Sequence, residues 1–201
     1  MKGEKKMRFN YLFIVISILF ILLTPLQSFA REGNSTVHGQ DEAIIEIMDG
    51  MTLEEKVGQL FIVHVYGETP TDPDYEDTNV NNNRGGKNFK EVIENYQVGG
   101  IIYFNWTDNI GLPMDAEQVH GLSNGLQEIA IEQPSQIPLF ISTDQEGGIV
   151  QRVQEPGTVF PGNMALGATG SESYATLSGQ VIGNELSSLG INMNFAPDSG
   201  C

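Results

Sequence analysis

Cysteine is nearly absent from this sequence. The one thiol, Cys201, is the last residue, so no internal disulfide can form and the fold must rest on packing. Positive charge is scarce as well: 10 Lys+Arg stand against 26 Asp+Glu, a formal charge of −16. A chain that acidic repels phosphate backbones, which argues against nucleic acid as a partner, and it suits anionic membrane surfaces poorly. Histidine is limited to His38, His64 and His120, and no H-x3-H or comparable spacing forms. No metal site is therefore expected. No G-x-G-x-x-G is present, so a dinucleotide site is unsupported and no cofactor is expected. Apolar residues are not lacking. At 40% of the chain they suffice for a core and rule out a fully disordered polymer.

The charge is unevenly spread. Lys2, Lys5, Lys6 and Arg8 lie in the first ten residues, and Tyr11–Leu23 follows, apolar except for Ser17. That run is short of the roughly 20 residues a bilayer span needs. Pro25 and the small residues Ser28 and Ala30 then complete the pattern of an export signal over residues 1–30. Cleavage after Ala30 leaves a chain starting at Arg31, with 6 basic against 25 acidic residues, or −19. The expectation is a secreted, extracellular protein, possible cell-wall association included, with no stable membrane span after cleavage. An uncleaved N-terminal anchor is the alternative. No cysteine near the cleavage site offers a lipid acceptor.

Residues 31–201 alternate helical and strand-like patterns. Asp41–Met51 is apolar at helical spacing. Thr52 and Glu55 form a capping box for a helix to about Gln59. Gln59–Val65 reads as a buried strand, and Gly67–Lys87, with two prolines, five acids and four asparagines, as a solvated loop. Asn88–Gln97 predicts a helix ended by Gly99-Gly100. Strands follow at Gly100–Phe104, Leu139–Thr143 and Ile191–Phe195, separated by helices over Asp115–Ile131 and Ser171–Leu189, the last stopped by Gly190. Apolar strands alternating with helices predict parallel βαβ units. Four such units suit a complete doubly wound sheet or half of a (β/α)8 barrel, which takes about 250 residues.

The densest chemistry follows the third strand, in Asp144-Gln-Glu-Gly-Gly-Ile-Val-Gln-Arg152. In parallel α/β folds, functional groups collect at the carboxyl ends of strands. Asp144 and Glu146 share one face of an extended chain at about 6–7 Å. Retaining glycosidases hold their two carboxylates about 5–5.5 Å apart, so an acid–nucleophile pair is open, as is substrate-assisted chitin hydrolysis. Against both, one turn rarely supplies groups from opposite sides of a scissile bond. A polar turn with a capping acid and a solvated arginine is the plain structural alternative. His64 reads as a satisfied core histidine. Trp106, after the second strand, suits either a sugar platform or a cap on the sheet rim.

Five segments in order carry a resemblance. They are Met51–Leu60 (MTLEEKVGQL), Gln97–Ile102 (QVGGII), Asp144–Arg152 (DQEGGIVQR), Phe160–Gly167 (FPGNMALG) and Gly190–Pro197 (GINMNFAP). Together they resemble family 3 glycoside hydrolases across nearly all of residues 31–201, apart from Gly67–Lys87. D-Q-E-G-G is similar to the β-N-acetylglucosaminidase branch, whereas β-glucosidase members usually carry His-Gly in that loop.

The resemblance implies a (β/α)8 barrel, with about the first four β/α units here. It also implies retaining hydrolysis of β-linked N-acetylglucosamine from peptidoglycan- or chitin-derived glycans. By it, Asp144 binds sugar hydroxyls, Arg152 stands beside it, and Glu146 is structural. The family's Lys-His sugar-binding pair, its loop histidine and its Asp nucleophile fall further along than residue 201, so no catalytic residue is expected within this chain. The family continues Pro-x-x-Asp where this chain reads Pro197-Asp198 and ends at Cys201, which reads as a truncation, frameshift or partial gene. Two other readings stay open: a non-catalytic sugar-binding remnant, and β-glucosidase-type specificity.

Overall fold

The computed structural model describes residues 33–197. The export segment expected at 1–30, Asp198 and Cys201 lie outside the described residues, and His38 is described only as helical backbone. The chain divides into two compact units, Met1–Glu46 and Ile47–Cys201. In the first, the described residues are helical, belonging to α1 (Gly33–Gly50). All that follows concerns the second unit. Among the described residues, no helix is long and apolar enough to cross a membrane.

Four parallel strands lie side by side in sequence order: β1 (Ile62–Val63), β2 (Gly100–Ile102), β3 (Phe140–Thr143) and β4 (Met193–Asn194). Registers run Ile62↔Gly100, Ile101↔Ile141 and Ser142↔Met193. The helices between them are α2 (Leu53–Gly58), α3 (Glu76–Asn81), α4 (Phe89–Tyr96), α5 (Ala116–Ile131), α6 (Asn163–Ala168) and α7 (Glu172–Ser188). The core lies between sheet and helices. Val92 and Ile93 of α4 and Val119, Leu122 and Leu126 of α5 are buried with Ile101 and Ile141 of the sheet. Sequential parallel order without reversal matches part of a barrel wall. It is not the order of a doubly wound sheet, in which the winding direction switches.

The capping box forms as its spacing predicts. Thr52 N–H donates to Glu55 Oε2 at 2.7 Å and Glu55 N–H to Thr52 Oγ1 at 3.2 Å. The Thr52 N–H bond, and after it the Gln97 side-chain amide, which donates to Glu55 Oε1 at 2.8 Å, hold the Glu55 carboxyl below its ordinary value. Two expectations need correction. Helix α4 lies within the expected Asn88–Gln97, but the glycines do not stop it: Gln97, left-handed at φ 46°, ends it by donating its N–H to Ile93 O at 2.8 Å. Gly99 and Gly100 serve close packing instead, since a Cβ on Gly100 would meet Phe140 O at 2.5 Å. Nor is 67–87 merely a solvated loop. It holds a 3-10 turn (Pro73–Tyr75), α3 and the fully buried Asn79. Asn79 accepts from Tyr66 N–H at 2.9 Å and donates to the carbonyls of Tyr66 and Lys87. A buried amide must find such partners.

Candidate functional site

Asp144 leaves the carboxyl end of β3, and the chain then turns back on itself. Gly147 and Gly148 have φ of 87° and 66°, and Gly147 N–H donates to Val150 O at 3.1 Å. Both positions require glycine twice over, by conformation and by space. A Cβ on Gly147 would lie 2.6 Å from Pro161 O.

The turn returns Arg152 to Asp144. Arg152 Nη2 lies 3.1 Å from Asp144 Oδ2, with the two side chains 23% and 22% exposed. The guanidinium carbon sits 5.4 Å from the Phe104 ring centroid, a cation–π contact. Gln145, buried between them in sequence, fixes the arginine backbone. Its Oε1 accepts from the N–H groups of Arg152 at 2.8 Å and Val153 at 2.9 Å, and its Nε2 donates to Val153 O at 2.8 Å. Asn105, after β2, donates to Arg152 O at 3.0 Å. The pair is thus held from the loops behind two strands, with carboxylate oxygens partly open to solvent.

The two carboxylates of the D-x-E stretch take different positions. Glu146 forms no ion pair among the described residues and lines a shallow hollow with Gly147, Ile149 and Met164, a hollow that Asp144 does not line. A cleft of about 890 Å³ runs between α2 and α4, beside β1. Leu53, Val57, Phe61 and Val92 give it a largely apolar lining, which suits packing more than sugar binding.

Next to Arg152 stands an aromatic group from the carboxyl ends of β1 and β2. Phe104 and Trp106 stack with centroids 4.6 Å apart and planes 19° off parallel. His64 meets Trp106 edge-on at 4.9 Å, and Tyr66 meets it at 6.1 Å. His64 is not the satisfied core histidine expected: it lies just past β1, half-buried, and its Nε2 is buried without a partner. Burial, and then the positive charge of Arg84, push its pKa below the ordinary value. His120 is exposed on α5, bonded to Ser188 O and Asn124. Among the described residues, no group of three His, Cys, Asp or Glu could hold a metal ion.

A parallel β/α sheet with a carboxylate–guanidinium pair and aromatic rings at its strand ends has the makings of a carbohydrate-handling barrel. The comparisons with known proteins give the family. The family model of the glycosyl hydrolase family 3 N-terminal domain matches residues 52–198, and the chain belongs to that family. It is 47% identical over 111 residues to beta-hexosaminidase A of Pseudoalteromonas piscicida, covering 53% of this chain and 18% of that protein. It is 33% identical over 144 residues to a beta-N-acetylglucosaminidase/beta-glucosidase of Cellulomonas fimi, covering 72% of this chain and 20% of that one. Among solved structures, a family 3 beta-N-acetylglucosaminidase from Paenibacillus sp. str. FPU-7 superposes with a TM-score of 0.58 at 42% identity, over 73% of this chain and 24% of that one. The chain therefore spans about a fifth to a quarter of the length of these relatives, and its four strands form part of their TIM-barrel-like fold.

Proposed function

We propose that this chain belongs to a retaining glycoside hydrolase that releases terminal β-linked N-acetylglucosamine from peptidoglycan- or chitin-derived glycans. The observation that carries the reading is the Asp144–Arg152 pair, fixed at the end of β3 in a family 3 domain. Asp144 accepts from adjacent sugar hydroxyls, and Arg152, a planar donor, sets the carboxylate's orientation. On this reading the chain binds and orients sugar, and no residue of it is the nucleophile or the acid. Residues 1–30 direct export, so that the mature protein begins at Arg31.

Support comes from the relatives' names, two of which specify N-acetylglucosaminidase action. The name of the Cellulomonas protein also favours a second reading, action on plain β-glucosides. The test is an assay of the enzyme containing this domain on aryl N-acetyl-β-glucosaminide and aryl β-glucoside. Release from the first, lost in Asp144→Ala, is expected; release from the second alone moves the protein to glucosidase specificity. Mature protein whose N-terminus is Met1 would remove cleavage after Ala30 in favour of the uncleaved anchor, and recovery of the protein in the cytoplasm would remove export.

A further inference from the structure

We propose that Trp106, backed by Phe104 and His64, is a second sugar subsite that seats the leaving-group ring of a β-linked N-acetylglucosaminyl disaccharide. The proposal rests on the reading of Asp144 as the residue that holds the first sugar. Trp106 is 51% exposed, yet its ring is braced by Phe104 and met edge-on by His64 and Tyr66. A large apolar ring held in place but left open presents a rigid platform. One side of a β-linked pyranose is a surface of C–H groups, which meets the negative face of an indole favourably.

Position supports the same assignment. Asp144, Arg152, Phe104 and Trp106 follow one another in contact: 3.1 Å across the ion pair, 5.4 Å from guanidinium to Phe104, and 4.6 Å from Phe104 to Trp106. Trp106 is thus one ring removed from the arginine, and a sugar lying on it is the neighbour of the sugar at Asp144. The polar surroundings are also incomplete. Among the described residues, the buried side-chain nitrogens without partners are His64 Nε2, Arg84 Nε and Arg152 Nε. All three belong to side chains against this aromatic group, Arg84 lying 5.7 Å over Tyr66. Unpartnered buried polar atoms are rare. These three atoms are closed to solvent, so a hydroxyl-rich ligand meets the cluster through the exposed Trp106 ring and not through them.

Trp106 is the sole tryptophan of the 201-residue chain, so its fluorescence reports the platform directly. N-acetylglucosamine and N,N′-diacetylchitobiose are titrated into the full chain and into its Trp106→Ala, Trp106→Phe and Asp144→Asn variants, with affinities read by calorimetry. The expected result is a saturable emission shift with the disaccharide and little with the monosaccharide. Trp106→Ala should weaken the disaccharide about tenfold, leave the monosaccharide unchanged, and be partly rescued by Trp106→Phe. The unchanged monosaccharide affinity also certifies that the variant is folded. Equal disaccharide affinity in wild type and Trp106→Ala overturns the subsite while leaving the parent reading intact. Full monosaccharide affinity in Asp144→Asn overturns the parent reading instead, and binding of neither sugar by the wild type overturns both.

Discussion

Gln145 and Asn194 are joined by two hydrogen bonds in opposite senses: Gln145 N–H donates to Asn194 Oδ1 at 2.9 Å, and Asn194 Nδ2 donates to Gln145 O at 3.1 Å. A side-chain amide here takes the place of a strand's peptide group. Asn192 does the same one step back, accepting from Ile141 N–H and donating to Leu139 O. The β4 ladder is only two residues long, and these side chains extend its hold on β3 in both directions. Asn194→Ala leaves both peptide groups of Gln145 unpaired. It should cost about 2–4 kcal/mol in urea unfolding, from the desolvation of two backbone groups. It should also loosen Arg152, whose N–H is held by Gln145.

The Asp144–Arg152 pair is worth little to the fold. It is a single contact between partly exposed side chains, and such pairs contribute about 1 kcal/mol or less. Asp144→Asn should therefore unfold within about 1 kcal/mol of wild type. A loss several times larger would make the pair a structural clamp and weaken the case for a sugar-binding role.

The two loop glycines should differ in a measurable way from a third. Gly170 has φ 61° but open space around its missing Cβ, so Gly170→Ala bears only the conformational cost of about 1–2 kcal/mol. Gly147→Ala adds a collision with Pro161 O and should cost more, with chemical denaturation giving the difference. Equal costs would mean that the loop relaxes away from Pro161.

Element order was legible in the residues, because helical and strand patterns alternate and the capping box at Thr52 announces itself. Strand length was not. The apolar run Gln59–Val65 gives only Ile62–Val63 as strand, since Gln59 caps α2 and turns its side chain to Gln97 O at 2.7 Å. The acidic stretch 67–87 misled for a similar reason: nothing in composition distinguishes Asn79, fully buried with three bonds, from its exposed neighbours Asn81, Asn82 and Asn83. In the site, Asp144 and Arg152 stood out by motif. Gln145 and Asn194 act through neutral amides aimed at backbone, and no periodicity or charge pattern marks such residues. The D-Q-E spacing was the available hint.

The last prediction concerns pH. His64 has a pKa below its ordinary 6.5, chiefly because its ring is buried and secondarily because Arg84 is near. The unfolded chain then binds a proton at this residue at pH values where the folded chain does not. Stability from His64 is thus complete above about pH 6.5 and falls as pH drops from there toward the lower folded value. Carboxylates titrate at the bottom of that range, so the comparison must isolate the ring. His64→Phe keeps an aromatic side chain against Trp106 and cannot be protonated. Wild type should lose stability relative to His64→Phe as the pH is lowered through 6.5, and the His64 ring proton should titrate by NMR below that value. A ring titrating at or above it would mean that a carboxylate, not solvent exclusion and Arg84, governs this residue.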